Sequence, residues 1–167
     1  MLQAETWHEA ETLLAALQAR NLTLATAESC TGGLIAAALT AIPGSSATLL
    51  AGYVTYSDAA KTRMVGVPAA MIEGFGAVSE PVARRMAEGA RAGSEASLAV
   101  SCTGVAGPGG GSAAKPVGLV HLACARAGHA TLAEHHIFPG DRTAIRAATV
   151  AAAFRLIRRA MKQDPLA

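Results

Sequence analysis

An apolar run, Leu22-Thr23-Leu24-Ala25, enters a polar stretch, Thr26-Ala27-Glu28-Ser29-Cys30-Thr31-Gly32-Gly33, and a run of small and apolar residues, 34–39, leaves it. Strand, sharp turn, helix is the order this implies, and it constrains the chain more than any other feature. The paired glycines permit the turn and a close backbone approach by a ligand. Open α/β sheets bind ligands where a strand ends and a helix begins. A helix start also offers unpaired N–H groups and a positive dipole end. Ser29, Cys30 and Thr31 therefore sit where a nucleophile could be presented and an oxyanion or phosphate held. A simpler use for Ser29 or Thr31, as the N-cap of the helix, is the commoner outcome for such a stretch.

The remaining elements follow the same alternation. A helix is expected over 6–20, with Leu13, Leu14 and Leu17 on one face and Asn21 suited to its end. The first strand covers 22–27, and the helix after the turn runs to Ala41. A second strand covers 49–56, and Ser57-Asp58 reads as a cap that places Lys61 about one turn into a helix. Residues 65–76 are irregular or a short helix. Ser79-Glu80-Pro81 opens a helix to about Ala92, with a capping hydroxyl, an acid and a tolerated proline. The third strand, 97–102, runs into a glycine-rich loop, 103–112. Strands 117–125 and 131–138 are joined too closely for a crossover and must be antiparallel. A last helix is expected over 143–161, and 163–167 is a loose tail. The fold class is therefore α/β: a three-layer α/β/α sandwich around a mixed, mostly parallel five-stranded sheet with a C-terminal antiparallel hairpin.

Composition narrows the function classes. At 167 residues the chain is long enough for one domain, 1–167, with a good core. Hydrophobic residues make up 51% but aromatics only 4%, so alanine and glycine must let elements pack closely. A net charge of +2 is too small to indicate a nucleic-acid partner. Arg155, Arg158, Arg159 and Lys162 read as a solvated helix face. Three cysteines, without paired spacing, suit a reducing compartment. Glu5, Glu9 and Glu11 argue against a signal peptide, and no apolar run reaches transmembrane length. A soluble cytoplasmic protein without membrane contact is expected.

Several residues are suited to chemistry. Lys61, near a helix start that follows a strand, would be disfavoured as an ammonium by the dipole and by burial. Such a lysine can act as a neutral base, and serine with a lysine base is an accepted nucleophile arrangement. A solvated surface lysine is the commoner case. The glycines at 107–111 match neither a P-loop nor a dinucleotide fingerprint, yet could expose N–H groups to an anion. Thr103 at a strand exit could bond a reacting group or cap a turn. Arg142 and Arg146 share a helix face and could hold an anion or pair with an acid such as Asp141. Cys30 is a rival nucleophile, since helix starts acidify thiols, while Cys102 and Cys124 look like core residues. Metal is not expected: His135 and His136 must point to opposite faces of a strand, and His8, His121 and His129 form no ligand spacing.

Seven blocks occur in order: Ala27-Glu28-Ser29-Cys30-Thr31-Gly32-Gly33; Pro43-Gly44-Ser45-Ser46; Thr55-Tyr56-Ser57 with Lys61; Gly76-Ala77-Val78-Ser79; Thr103-Gly104-Val105-Ala106-Gly107-Pro108-Gly109-Gly110; Lys115-Pro116-Val117-Gly118; and Gly140-Asp141-Arg142. Together they resemble the CinA C-terminal domain family, the nicotinamide mononucleotide amidohydrolases, from about Thr6 to Met161. The resemblance implies a three-layer fold, a homodimer, and deamidation of nicotinamide mononucleotide to nicotinate mononucleotide and ammonia in pyridine nucleotide salvage. It maps the family's serine nucleophile onto Ser29 and its lysine base onto Lys61, with Tyr56 and Thr103 at nearby polar positions. Backbone N–H groups of Cys30, Thr31, Gly32 and Gly33 would then hold the oxyanion. Gly107, Gly109, Gly110 and Arg142 are candidates for the 5′-phosphate, and no cofactor is needed. Ser101-Cys102 before Thr103 is a mild departure from the family pattern. The alternatives are a different hydrolase on the same site, such as a nucleotide phosphatase, and a non-catalytic nucleotide-binding or competence/DNA-damage-related partner protein.

Overall fold

The computed structural model describes residues 2–163. Helix α1 (Ala4–Gln18) is followed by β1 (Leu24–Glu28), α2 (Leu34–Thr40), a single 3-10 turn (Ser45–Ala47) and β2 (Leu49–Val54). Three helices come next, α3 (Asp58–Val65), α4 (Ala69–Phe75) and α5 (Glu80–Ser94). The chain finishes with β3 (Leu98–Gly104), β4 (Leu119–Arg126), β5 (Leu132–Ile137) and α6 (Arg142–Ala160). The strands form one sheet in the order β2-β1-β3-β4-β5. β1 lies parallel to both β2 and β3, whereas β4 runs antiparallel to β3 and to β5. Helices cover both faces, giving the three layers and the late hairpin that the strand–helix alternation predicts.

Side chains of a strand alternate between faces, and here the two faces differ in size. Leu24, Leu98, Val100, Val120 and Leu122 point into a core shared with α1, α2 and α6. Each fully buried large side chain, such as Leu122 or Phe154 of α6, contributes roughly 1.5–3 kcal/mol. The other face is largely alanine. Ala25, Ala27 and Ala99 meet Val65, Val82 and Met86, and Ala123 and Ala125 meet Ala83 and Ala87 of α5. These short side chains let α5 lie close to the sheet. At Gly89 of α5, an added Cβ would stand 1.7 Å from the Val65 carbonyl oxygen, so only glycine allows α5 to dock on the end of α3.

Local differences from the expected elements have local causes. The segment 65–76 takes the second of its two expected forms, a short helix, α4. β2 ends at Val54 rather than Tyr56, because the chain turns there to aim two carbonyls at Lys61. Ser57 caps α3 as expected, accepting from the Ala60 N–H at 3.1 Å. Ser79 does not cap α5; its hydroxyl donates back to the Gly76 carbonyl at 2.8 Å. Asp141 caps α6, accepting from the Ala144 N–H at 2.8 Å, so that helix begins at Arg142. Arg158, expected on a solvated face, ties α6 to α1 by donating to the Thr12 hydroxyl at 2.7 Å. Of the expected loose tail, 164–167 lies outside the described residues. No helix among the described residues is long and apolar enough to cross a membrane.

Candidate active site

Because β1, β2 and β3 are parallel, their C-terminal ends open on the same edge of the sheet. The register pairs Glu28 with Val54 on one side and with Cys102 on the other. Ser29, Thr55-Tyr56 and Thr103 therefore leave the sheet side by side. The capped start of α3 places Lys61 in its first turn. Lys61 is 1% exposed, so the surface lysine expected as the commoner case is not what forms. Its Nζ lies 3.2 Å from Ser29 Oγ, 3.0 Å from the Thr55 carbonyl and 3.4 Å from the Tyr56 carbonyl. Burial holds this amine below the usual lysine range, and the opposing pull of Asp58 is weak, since that carboxylate is 4.0 Å away and mostly exposed.

Neither Ser29 nor Thr31 caps α2. The helix begins at Leu34, with Gly33 in the cap position at φ 96°, a conformation that suits glycine. The cap comes instead from Glu28, whose carboxylate is fully buried. Its Oε2 accepts from the Gly33 and Ile35 N–H groups at 3.1 and 2.9 Å, and its Oε1 from the Ala36 N–H at 2.8 Å. Two hydroxyls complete the shell, Thr26 at 3.2 Å and Thr31 at 2.6 Å. The helix start therefore carries its own anion. The Gly32 N–H is also occupied, donating to the Ser29 carbonyl at 3.0 Å. Among the described residues, the N–H groups of Cys30 and Thr31 have no partner. Both follow Ser29 directly.

The Thr31 side chain faces inward. The Thr31 hydroxyl donates to Glu28 at 2.6 Å and also lies within hydrogen-bond distance of the Cys102 thiol, at 3.1 Å. The hydrogen bond with Cys102 is the main cause that lowers the Cys30 thiol, while Cys102, fully buried, is raised. Burial pushes the Cys124 thiol up to about 12, in keeping with a core residue.

A cavity of about 230 Å³ is lined by Ser29, Cys30, Tyr56, Lys61, Thr103 and Arg142, among others. The Thr103 hydroxyl donates to the Ala77 carbonyl at 2.8 Å, leaving its oxygen lone pairs as acceptors. Arg142 donates to the Tyr56 hydroxyl at 3.1 Å and to the Gly107 carbonyl at 2.9 Å. No acid among the described residues pairs with it. Beyond Arg142 lies a second cavity of about 450 Å³, reached by Ala106, Pro108, Val117 and 140–143. Gly107, Gly109 and Gly110 line neither cavity. Arg146 leaves the site, donating to the Thr31 carbonyl at 2.7 Å. His121 and His135 face each other across strands, whereas His136 bonds Glu134 on the opposite face. No group of three or more His, Cys, Asp or Glu among the described residues is placed to hold a metal ion. Glu28 is the participant that sequence reasoning missed. An acid just ahead of a glycine turn and helix start was the available signal.

The model of the CinA C-terminal domain matches residues 7–161. The chain belongs to this family. A relative, the nicotinamide-nucleotide amidohydrolase PncC of Pseudomonas putida, is 55% identical over 133 residues, covering 80% of this chain and 82% of that one. A CinA-like protein of Akkermansia muciniphila is 47% identical over 150 residues, 90% of this chain but 36% of that protein. The chain spans about a third of the length of the CinA-like relatives it matches. Among solved structures, the competence/damage inducible protein CihA from Agrobacterium tumefaciens superposes with a TM-score of 0.93 at 45% identity, covering 98% of this chain and 99% of that one. CinA-family crystal structures thus share the whole α/β architecture described above.

Proposed function

We propose that this protein hydrolyses the carboxamide of nicotinamide mononucleotide, giving nicotinate mononucleotide and ammonia, in pyridine nucleotide salvage. The observation that carries this proposal is the buried amine of Lys61, 3.2 Å from Ser29 Oγ at the floor of a cavity. The homology to a nicotinamide-nucleotide amidohydrolase supports the choice of substrate. A neutral lysine has two hydrogens and one lone pair. The hydrogens match the Thr55 and Tyr56 carbonyls, which leaves the lone pair to accept the Ser29 hydroxyl proton. Ser29 then attacks the carboxamide carbon. The N–H groups of Cys30 and Thr31 receive the developing oxyanion. Lys61 passes its proton to the leaving ammonia, and water, activated by the same amine, releases the acyl group from Ser29. The Thr103 oxygen accepts from the carboxamide N–H₂, and Arg142, steadied against Tyr56, meets the phosphate toward the second cavity. No step calls for a metal or an organic cofactor.

The test is ammonia release from nicotinamide mononucleotide, with and without a chelator. Release in both conditions is the expected result. Loss of activity with the chelator, restored by a divalent ion, would overturn the metal-free scheme. Activity on phosphate esters with none on the amide would replace it with a phosphatase. A homodimer in the cytoplasm belongs to the same proposal. Support comes from Leu50 and Val54, 49% and 44% exposed on the free edge strand β2. Light scattering of the purified protein measures the dimer.

A further inference from the structure

The buried carboxylate of Glu28 has no step in the scheme above, yet it touches more of the site's framework than any other side chain. Five donors converge on it: three N–H groups of the turn and α2, and the hydroxyls of Thr26 and Thr31. A charged acceptor that is fully buried and fully satisfied is rigid, because every departure leaves a donor unpaired in a dry interior. The residues it fixes bracket Ser29. Glu28 precedes the serine, and Thr31 and Gly33 close the turn behind it. Thr31 is pinned at both ends, its hydroxyl by Glu28 and Cys102 and its carbonyl by Arg146 at 2.7 Å. Its own N–H is one of the two left without a partner among the described residues.

We propose that Glu28 is a positioning residue, an internal anion that holds the 29–33 turn so that the N–H groups of Cys30 and Thr31 stay free beside Ser29 Oγ. The assignment rests on the amidohydrolase reading only for the identity of the substrate. One corollary concerns the substrate's own charge. The positive end of α2 is already filled by Glu28, so a phosphate has no place there, and Arg142 is left as the cation of the cavity.

The experiment compares wild type, Glu28→Gln, Thr31→Val and Thr31→Ser in two assays on folded protein. One is steady-state ammonia release. The other is the rate at which a small fluorophosphonate labels Ser29, a reaction that uses the same oxyanion donors without the substrate. In Glu28→Gln an amide N–H₂ faces N–H donors, and the turn must shift. A misplacement of about 1 Å costs about 10²-fold in rate. We expect kcat and the labelling rate to fall together by about that factor, with KM nearly unchanged. Thr31→Val should lower both rates less, and Thr31→Ser should restore them. Unchanged rates in folded Glu28→Gln, with only a lower melting temperature, would overturn the proposal, as would a Thr31→Ser variant no better than Thr31→Val. If Glu28→Gln fails to fold, the two Thr31 variants decide alone. Wild type that labels at Ser29 but releases no ammonia from nicotinamide mononucleotide would overturn the substrate assignment, and the labelling ratios would still decide Glu28.

Discussion

Two polar loops leave the same edge of the sheet, one after β1 and one after β3, and they are built in opposite ways. Both are rich in glycine, and both contain left-handed residues, Gly32 and Gly33 in the first and Gly107 and Gly110 in the second. The first folds inward around a buried carboxylate and brings Ser29 against a buried lysine. The second is exposed at 108–114, and a Cβ at Gly109 would meet nothing within 4 Å. Glycine alone therefore indicates a turn. Buried polar groups with satisfied partners single out the first turn as the one proposed to carry chemistry, since burying such groups without partners is costly.

That contrast can be broken in order of expected effect. Ser29→Ala should lower kcat on the order of a thousandfold or more, with the melting temperature retained. Near-normal turnover in that variant, beside an inactive Cys30→Ala, would move the nucleophile to Cys30. Lys61→Arg should be almost as inactive, because a guanidinium keeps its proton and cannot act as a base. In the proposed scheme only the neutral amine is competent. The expected profile of kcat/KM therefore rises with pH through an apparent pKa below the ordinary lysine value of about 10.4. A rise centred on the ordinary value, or substantial turnover in Lys61→Arg, would remove the base assignment. Arg142→Ala should act mainly on KM, raising it roughly ten- to a hundredfold, as loss of a charged hydrogen bond to an anion does. Gly109→Ala should change neither constant by more than about twofold, since it sits in the open loop with room for a methyl group. If it raised KM as much as Arg142→Ala, the loop after β3 would be a phosphate site after all.

The strand–helix order, the hairpin and the edge that carries Ser29, Tyr56 and Thr103 were legible, because hydrophobic periodicity and connection length are properties of the chain itself. So was the pairing of Ser29 with Lys61, on the strength of seven ordered motifs. The role of Glu28 was not legible. Its meaning depends on three N–H groups up to eight residues later and on where α2 begins, and both are settled by packing. The glycines at 107–111 were ambiguous for a related reason. A sequence records that a backbone is permissive and leaves open whether it faces a cavity or solvent. Ser79 and Arg146 likewise have the residue type for one role and the geometry for another.

Lys61 also enters the thermodynamics of folding. The unfolded chain binds the lysine proton with ordinary affinity, and the folded protein binds it less well. Between the lowered folded pKa and about 10.4 the unfolded state holds the extra proton, so raising the pH in that window favours the fold. At lower pH both states carry the proton, and the folded protein bears the full desolvation of a buried cation. The same burial that lowers the proton affinity of the amine thus works against the native state near neutrality. Denaturant titrations of wild type and Lys61→Met at stepped pH read this directly: wild type gains on the variant as the solution becomes more alkaline, and a constant gap would mean that the lysine titrates alike in both states.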